Sequence, residues 1–579
     1  MKKQQLILCG FFVLCSISFA FSQNLLKPEW KFSTGDSMIW ADPDFDDTGW
    51  DTIKAGELWE NQGYSGYDGF GWYRTQVVIP GKLKAMAQKY GGFLLRLAKI
   101  DDVDETFFNG KHIGQNGQFP PDYKCQYAAL REYAIPVEQI RWDQANTIAV
   151  RVFDYGGGGG IYDGIPELAV KGLADLVVVR VDLAPENHIF LQSESIKIPV
   201  VVANQSDESL KGELQLEIKS DFKEPIFSSR QAFQVKKQSQ KKFIFQINAA
   251  KPGFYTGTAA FSSEFNNKIH RFGFGINPEQ VISKPEPPAD FAEYWQRAKK
   301  ELAAVAPQYK MILIDSLCTS DSRLYRVEMR SLGNVLIRGW YSVPVQAGKY
   351  PTILHVQGYS SNVQPGWIYR GPDFVSFGLN IRGHGNSRDN VNPGFPGYLL
   401  YQLHDREMYI YRGAYSDCIR AVDFLFSRPE VDQSRVVVEG GSQGGALSFA
   451  TAALNNDRIR LCVPNVPFLS DFHDYFKVAA WPAGEFANWV KAHPEVGWEG
   501  VYRTLSYIDI KNLAPWVKAP VLMGSGLLDE VCPPHINFAA YNNLSVPKEY
   551  LVYPYSGHGL PAEFHHAKMD WIRKQLGMK

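Results

Sequence analysis

The order of apolar and polar positions separates a β-rich front half from an alternating back half. Across 24–172, short alternating runs are broken by Gly, Asp and Pro, which predicts a β-sandwich. Residues 173–279 alternate similarly and contain no Trp, which predicts an immunoglobulin-like sandwich acting as a spacer. The predicted strands are Gly71–Val78, Gly92–Ala98, Glu105–Phe108, Thr147–Phe153, Ile196–Val202, Glu213–Ile218 and Lys242–Ile247.

Beyond a Pro-rich linker at 280–289, apolar runs of strand length alternate with helical stretches. This alternation over 290–579 predicts a mostly parallel sheet with helices on both faces. The predicted strands are Pro351–Val356, Phe374–Ile381, Arg435–Glu439, Leu461–Val466, Pro520–Gly524 and Glu549–Tyr553. The predicted helices are Tyr415–Phe426, Gly445–Leu454, Ile536–Asn543 and Ala562–Leu576.

The first 22 residues have the pattern of an export signal. Lys2 and Lys3 precede an apolar run, Leu6–Phe19, and small residues follow at plausible cleavage points. We therefore expect a mature protein that starts near Gln23 and is periplasmic or extracellular. No other segment is apolar enough to span a bilayer.

Composition excludes some partners. The formal net charge is −1 and there is no long run of Lys or Arg, so nothing indicates nucleic acid as a partner. Outside the signal an odd number of widely spaced cysteines is present, which is not a disulfide framework, although one disulfide stays open. These are Cys125, Cys318, Cys418, Cys462 and Cys532.

A nucleophile elbow is the clearest chemical motif. Gly440-Gly441-Ser442-Gln443-Gly444 fits G-x-S-x-G, with a β-branched run before it and a helix of small residues after it. This context predicts that Ser442 projects from a strained turn above the sheet. The flanking glycines Gly440 and Gly444 allow strand and helix to approach closely.

A serine nucleophile needs a base and an orienting carboxylate. Asp529 follows the predicted strand Pro520–Gly524 and His558 follows Glu549–Tyr553, in the order that this fold requires. Gly557 and Gly559 flank the histidine. Glu530 adjoins Asp529 but is expected to point elsewhere. His384 is a further candidate facing the cleft, and Asp471 lies near its mouth or caps a helix. We interpret His535, His565 and His566 as surface or packing residues.

The oxyanion of an acyl-transfer reaction needs fixed N–H donors. The backbone N–H groups of Gln443 and Tyr359 are the candidates, because one follows the nucleophile and the other follows a buried strand. No cluster has metal-ligand spacing, so neither metal nor cofactor is predicted. Calcium at the acidic loop 42–47 is an open alternative to a solvated turn.

Taken together, residues 285–579 resemble the acetyl xylan esterase/cephalosporin C deacetylase family, carbohydrate esterase family seven. The resemblance rests on the elements Pro287–Phe291, Gly339–Tyr341, Gln357–Tyr359, Arg382–Ser387, Gly441–Gly444, Pro467–Phe472 and Asp529–Pro534. It implies an α/β hydrolase with Ser442, Asp529 and His558 as the triad and Tyr359 and Gln443 as oxyanion donors. It places Arg382, His384, Gly440 and Gly444 around them.

Two positions depart from the family pattern, and the front of the chain adds a second resemblance. The family usually has Gln where this chain has His384, and Glu where it has Gly559. Residues 101–110 and 146–154 resemble the jelly-roll, galactose-binding-like domain at the front of family 2 glycosidases, which implies a sandwich of binding or structural role.

The sequence as a whole predicts an exported serine esterase that removes acetyl groups from carbohydrates such as xylan or pectin-type glycans. A serine peptidase of the prolyl-oligopeptidase type is one alternative, although no propeller repeats are present. A carbohydrate-binding protein with an inactive hydrolase domain is another, supported by aromatic residues including Trp59, Trp72 and Tyr73. Oligomeric state, glycan and acetyl position are not predicted.

Overall fold

A computed structural model describes residues 24–578 except 65–66, 122, 124, 128, 156–157, 192–194, 248–250 and 263–266. The expected export signal at 1–22 lies outside the described residues. The chain divides between Gly172 and Leu173 into two compact units. Within the described residues, no helix is both long and apolar enough to cross a membrane.

The first unit is a β-sandwich of two antiparallel sheets. One sheet has the order β2-β1-β3-β8-β5-β6, and the other joins β10, β4 and β7, with β9 also paired to β4. Its elements are β1 (Glu29–Thr34), β2 (Asp51–Lys54), β3 (Gly69–Val78), α1 (Lys84–Tyr90), β4 (Phe93–Asp101), β5 (Val103–Phe108), β6 (Lys111–Asn116), β7 (Leu130–Ile135), β8 (Ala145–Asp154), β9 (Gly160–Tyr162) and β10 (Glu167–Val170).

The aromatic residues that support a sugar-binding role for this sandwich belong to its interior. Trp59, Trp72 and Tyr73 each have no exposed surface. A ring with both faces covered by protein cannot stack on a pyranose, so these three side chains stabilise the fold through apolar burial.

The acidic loop of the first unit makes internal contacts. Asp42 and Asp46 each accept a backbone N–H two residues further on. Asp47 pairs with the buried guanidinium of Arg74 at 2.8 Å. These contacts are those of a turn closed by its own side chains.

The second unit begins with another sandwich. A three-stranded sheet, β11-β13-β16, faces a five-stranded sheet, β12-β18-β17-β14-β15. The strands are β11 (Val177–Val181), β12 (Ile189–Phe190), β13 (Ile196–Asn204), β14 (Leu210–Ser220), β15 (Pro225–Val235), β16 (Ser239–Ile247), β17 (Gly253–Ser262) and β18 (Asn267–Ile276). Two all-β sandwiches therefore precede the rest of the chain, as the sequence predicts.

The remainder is an α/β hydrolase domain. Its nine-stranded sheet has the order β19-β20-β21-β23-β22-β24-β25-β26-β27. The elements are α2 (Phe291–Ala304), β19 (Lys310–Leu313), β20 (Ser322–Ser331), β21 (Val335–Pro344), β22 (Tyr350–Val356), β23 (Val375–Asn380), α3 (Ile410–Phe426), β24 (Val431–Gly441), α4 (Gln443–Asn455), β25 (Leu461–Asn465), α5 (Phe472–Val478), α6 (Ala483–Ala492), α7 (Gly497–Leu505), α8 (Ile510–Leu513), β26 (Val521–Gly526), α9 (Pro534–Tyr541), β27 (Lys548–Tyr553) and α10 (Ala562–Gln575).

The two faces of this sheet bury separate cores, which follows from the period of two in a strand. Val437 packs in a core with Trp571 and Ile572 of α10. Its neighbours Val436 and Val438 belong to the larger core on the other face, which includes residues of α3, α4 and α9. Strands β22 to β27 are parallel to their neighbours within this set, so the prediction of a mostly parallel, doubly covered sheet is confirmed.

Several elements of this domain are absent from the sequence prediction. They are α2, the antiparallel strands β19–β21 at one sheet edge, and the four short helices α5–α8 between β25 and β26. The parallel strands, in contrast, place the three triad candidates at the same edge, because each candidate follows a strand end: β24, β26 and β27.

Candidate active site

Ser442 lies at the sharp turn between β24 and α4. Its φ of 59° and ψ of −119° place it in a left-handed region that non-glycine residues rarely adopt. A Cβ at Gly440 or Gly444 would overlap the carbonyl oxygen of Val356 in β22. Only glycine fits at these two positions, so the close approach of strand and helix explains the motif that the sequence displays.

Asp529 and His558 come together above the ends of β26 and β27. Nδ1 of His558 lies 2.8 Å from Oδ2 of Asp529. The other carboxylate oxygen accepts the N–H groups of Val531 and Cys532, each at 2.8 Å. Because a carboxylate only accepts, Nδ1 carries the proton and donates it to Asp529. This tautomer leaves Nε2 free to act as a base.

Ser442 faces the same loop through Cys532. Its Oγ lies 3.9 Å from Cys532 Sγ, and among the described residues no hydrogen bond joins Ser442 to His558. Burial raises the pKa of the Cys532 thiol well above its usual range, so this group stays protonated. The structure therefore joins the candidate acid and base by a hydrogen bond, whereas in the described part of the chain the Ser442 hydroxyl contacts Cys532. The sequence did not single out Cys532 as a neighbour of Ser442.

Two backbone N–H groups are candidates for stabilising the oxyanion. Gln443 is the first residue of α4, and Tyr359 lies in the loop after β22. In the described part of the chain neither N–H group donates to a protein acceptor. The Gln443 side chain is buried and its Nε2 lies 3.3 Å from the Gly358 carbonyl oxygen, which links the two segments.

An aromatic wall stands beside the nucleophile. The Phe468 N–H donates to the Ser442 carbonyl at 3.0 Å, and the Phe468 ring stacks on Trp481 with centroids 5.3 Å apart. The ring centroid of Tyr359 lies 5.4 Å from that of Trp481 and 4.8 Å from that of Phe395. These large side chains pack against one another, and the backbone of Phe468 joins the cluster to Ser442.

Arg382 and His384 lie behind this site rather than in an open cleft. The Arg382 guanidinium forms a bidentate pair with Asp417 at 2.7 and 2.9 Å. His384 has no exposed surface, and its Nε2 lies 3.2 Å from Nε2 of Gln443. Burial lowers the pKa of His384 to about 3, so the neutral ring accepts the Gln443 amide proton.

The rival carboxylates point away from the imidazole. Glu530 pairs with Arg271 of β18. Asp471 is at the N-cap of α5, yet its side chain makes no cap hydrogen bond and instead accepts from Lys511 Nζ at 2.8 Å. The five described cysteines are all free.

The remaining histidines are also placed. His565 and His566 lie in α10. His535, at the start of α9, is buried, with Nδ1 2.9 Å from Oδ2 of Asp221 in the immunoglobulin-like domain. Burial by itself would lower the pKa of His535, but the carboxylates of Asp221 and Asp474 raise it to about 9. Sequence reasoning could not find this pair, because no local pattern links residues so far apart in the chain.

The immunoglobulin-like domain contacts the loops that carry the candidate acid and base. The Gly273 N–H donates to the Pro554 carbonyl at 2.8 Å, and the Tyr555 hydroxyl donates to the Val181 carbonyl at 3.1 Å. A Cβ at Gly273 would overlap Leu527. Interpreting this domain as a spacer is therefore wrong, since it packs directly against the 527–532 and 554–558 loops.

Comparison with known proteins finds relatives of the hydrolase domain. The family model described as acetyl xylan esterase (AXE1) matches residues 279–575. Acetyl esterase Axe7A of Xylanibacter ruminicola is 30% identical over 340 residues, which cover 56% of this chain and 75% of that protein.

Solved structures include two similar proteins. The acetyl xylan esterase from Paenibacillus sp. R4 is 34% identical, with a TM-score of 0.49, over 51% of this chain and 98% of its own. Acetyl xylan esterase 1 from Thermoanaerobacterium sp. JW/SL YS485 is 32% identical, with a TM-score of 0.48, over 52% of this chain and 97% of its own. With its family model spanning the hydrolase domain, this chain belongs to the acetyl xylan esterase family and is a carboxylic ester hydrolase.

Proposed function

We propose that this protein removes acetyl groups from acetylated carbohydrates through an acyl-enzyme mechanism in which Ser442 is the nucleophile. The observation that carries the proposal is the 2.8 Å hydrogen bond between His558 Nδ1 and Asp529 Oδ2, formed at the strand edge where Ser442 sits on its elbow. Family membership and the similarity to an acetyl esterase support the choice of acetyl esters.

Each residue has a defined task in this proposal. The Ser442 hydroxyl attacks the acetyl carbonyl while Nε2 of His558 takes its proton, after the two side chains close their open contact around the substrate. Asp529 holds the imidazole in the required tautomer and stabilises its charged form. The N–H groups of Tyr359 and Gln443 stabilise the oxyanion, each by about 3 kcal/mol.

The two half-reactions use the same base. His558 returns its proton to the sugar oxygen as the sugar hydroxyl leaves, and Ser442 keeps the acetyl group. Water then attacks the acetyl carbon and gives a proton to His558. The bond from that carbon to Ser442 Oγ breaks, His558 passes the proton to Oγ, and the acetic acid formed leaves and ionises to acetate. The aromatic wall of Tyr359, Phe468 and Trp481 favours a small acyl group.

Acetate release across a panel of acetylated xylan, pectin and oligosaccharides tests the proposal. We expect release from acetylated glycans by the full chain and none by Ser442→Ala. Hydrolysis of proline anilides without release of acetate would favour a peptidase instead, although the sandwiches that precede the catalytic domain contain no propeller blades in their described parts.

Export belongs to the same proposal. A polymeric glycan does not cross a membrane, and the pattern of residues 1–22 is that of an export signal. Fractionation of cells that express the full chain, followed by N-terminal sequencing of the product, tests this. A product that keeps residues 1–22 in the cytoplasm would contradict it.

A further inference from the structure

A second polar cluster lies where the immunoglobulin-like domain meets the segment after Asp529. His535, near the start of α9, has a side chain only 8% exposed. Its Nδ1 lies 2.9 Å from Oδ2 of Asp221, in the turn between β14 and β15. Phe222 of the same turn packs edge-on against the ring, with centroids 5.0 Å apart. These contacts fix the ring plane and aim Nε2 away from Asp221.

On its other side the imidazole lies near two carboxylates, one in α5 and one at the N-cap of that helix. Nε2 lies 3.4 Å from Oδ2 of Asp474 and 4.0 Å from Oδ2 of Asp471. Asp471 has a side chain 2% exposed. Among the described residues, Asp471 Oδ2 and His535 Nε2 are both buried without a hydrogen-bond partner. Buried polar atoms usually have hydrogen-bond partners, and these two have only the ion-pair contacts between imidazole and carboxylates, so both are available to ligate an ion.

The spacing of these atoms suits a metal ion. Zinc bonds of about 2.0–2.2 Å to nitrogen and carboxylate oxygen give tetrahedral edges of roughly 3.3–3.6 Å. One separation already has this length, and one ligand atom from each of Asp471, Asp474 and His535 lies within 4.8 Å of the others. A carboxylate on the far nitrogen of a metal-binding histidine, here Asp221, is the usual orienting partner.

Charge favours a cation at the same point. Four carboxylates lie in or beside this cluster: Asp471, Asp474, Asp221 on the far nitrogen of the ring, and Asp509, which accepts the Asp471 N–H at 3.0 Å. Two ammonium groups oppose them: Lys511 on Asp471 Oδ1 and Lys477 on Asp474 Oδ1, both at 2.8 Å. When the imidazole gives up its proton to bind a metal, these groups carry a formal charge of −2, which a divalent cation would balance. Asp474, whose side chain is 28% exposed, provides the route to solvent.

We propose that Asp471, Asp474 and His535 bind a divalent transition-metal ion such as Zn²⁺, with Asp221 orienting the histidine. The ion would have a structural role, since it would fasten α5 and α9 together and hold the 220–224 turn against the catalytic domain. No metal-ligand spacing is visible along the chain, because the ligands come from two separate segments and the orienting carboxylate from another domain.

Metal binding to the full-length protein tests the proposal. After removal of metals with EDTA and dialysis, the protein is titrated with Zn²⁺ and with Co²⁺ at pH 7.5 by calorimetry in buffers of different ionisation enthalpy. We expect one ion per chain, release of protons on binding, and the visible absorption of tetrahedral Co²⁺. Asp474→Asn and His535→Asn should abolish the absorption, and Asp221→Asn should weaken binding by about 10- to 100-fold.

The matched control is Glu499→Gln, which removes an exposed carboxylate on α7 and should bind as the wild type does. Wild-type protein that binds neither ion, or an Asp474→Asn variant that binds as tightly as the wild type, would overturn the proposal and leave a protonated His535 as the bridge. Circular dichroism and hydrolysis of p-nitrophenyl acetate establish that each variant is folded, so loss of metal binding is distinguishable from failure of the esterase.

Discussion

Nε2 of His384 lies 3.2 Å from Nε2 of Gln443, at a position without solvent contact. The Gln443 side chain is also fixed from its other end, since Tyr411 donates to its Oε1 at 2.7 Å. Because the Gln443 N–H is a candidate oxyanion donor, the histidine controls the orientation of a residue that would contact the transition state. His384 is thus a positioning residue, and it stands where the resembling family usually has Gln.

His384→Ala should lower kcat by up to about 10²-fold, the scale on which one oxyanion donor acts. KM should change little, because no contact of His384 with substrate is implied. His384→Gln restores an acceptor for the Gln443 amide and should recover most of the activity. Steady-state kinetics on p-nitrophenyl acetate checks this; equal losses in both variants would contradict a positioning role.

The same histidine should make the fold sensitive to acid. Burial lowers its pKa from 6.5 to about 3, so the unfolded chain binds a proton at pH values where the folded chain does not. The free energy of unfolding therefore does not change through His384 above pH 6.5. Between pH 6.5 and 3 this residue lowers it by at most about 5 kcal/mol, at 1.36 kcal/mol per pH unit. Urea unfolding of wild type and His384→Gln at pH 7, 5 and 4 measures this contribution. The control is His112→Gln at a half-exposed site; if His384→Gln lost as much stability as wild type between pH 7 and pH 4, this account would be wrong.

Loss of the candidate acid should be more severe than loss of its neighbour. Asp529→Asn keeps the shape but favours the wrong imidazole tautomer, and we expect kcat to fall by about 10⁴-fold. Glu530→Gln, on the same loop, breaks an exposed pair with Arg271 and should alter kcat by less than about threefold. Comparable losses in the two variants would remove the distinction that the 2.8 Å contact to His558 supports.

The wall beside Ser442 should limit the acyl group. Trp481→Ala removes the ring that packs on Phe468 and Tyr359, which opens space for two further methylenes. The kcat/KM ratio of p-nitrophenyl butyrate to acetate should rise by about tenfold or more, as expected for methylene discrimination in an apolar pocket. An unchanged ratio in an active, folded variant would place the acyl pocket elsewhere.

Replacing two helical glycines by alanine should change the free energy of unfolding in opposite directions. At Gly444 a Cβ overlaps the Val356 carbonyl, so Gly444→Ala should cost at least about 1–3 kcal/mol of unfolding free energy. At Gly484 in α6 nothing lies within 4 Å, and Gly484→Ala should stabilise by about 0.4–1 kcal/mol. Chemical denaturation gives both values. Similar shifts at the two positions would show that the strand–helix contact at Gly444 is loose.

The long central strands of the catalytic sheet are predictable from sequence, whereas its short helices and edge strands are not. Mostly apolar runs such as Pro351–Val356 predict the central strands, because a strand buried on both faces has few polar positions. Short helices such as α8 have too few turns to show a period, and the edge strand β19 is only partly buried, so its pattern is weak. Among the site residues, the motif at Ser442 is local, whereas the Cys532 contact depends on chain folding.

Contacts between segments that are far apart in the chain are not visible in the sequence. A histidine before a helix, such as His535, is indistinguishable in sequence from a surface residue. Its partner Asp221 belongs to a different domain, so only the docking of that domain reveals the pair. Prediction from a single sequence is therefore limited by contacts between domains more than by helix and strand assignment.

The glycine in β18 has a practical consequence for anyone who trims this enzyme. Gly273 packs so closely against Leu527 that no side chain fits between them. Strand β18 therefore supports the turn that carries the candidate acid. Cutting the chain within 280–289 would yield a fragment with the whole catalytic sheet but with that turn unsupported. When domains of this protein are exchanged or expressed separately, residues 173–578 should therefore be kept together.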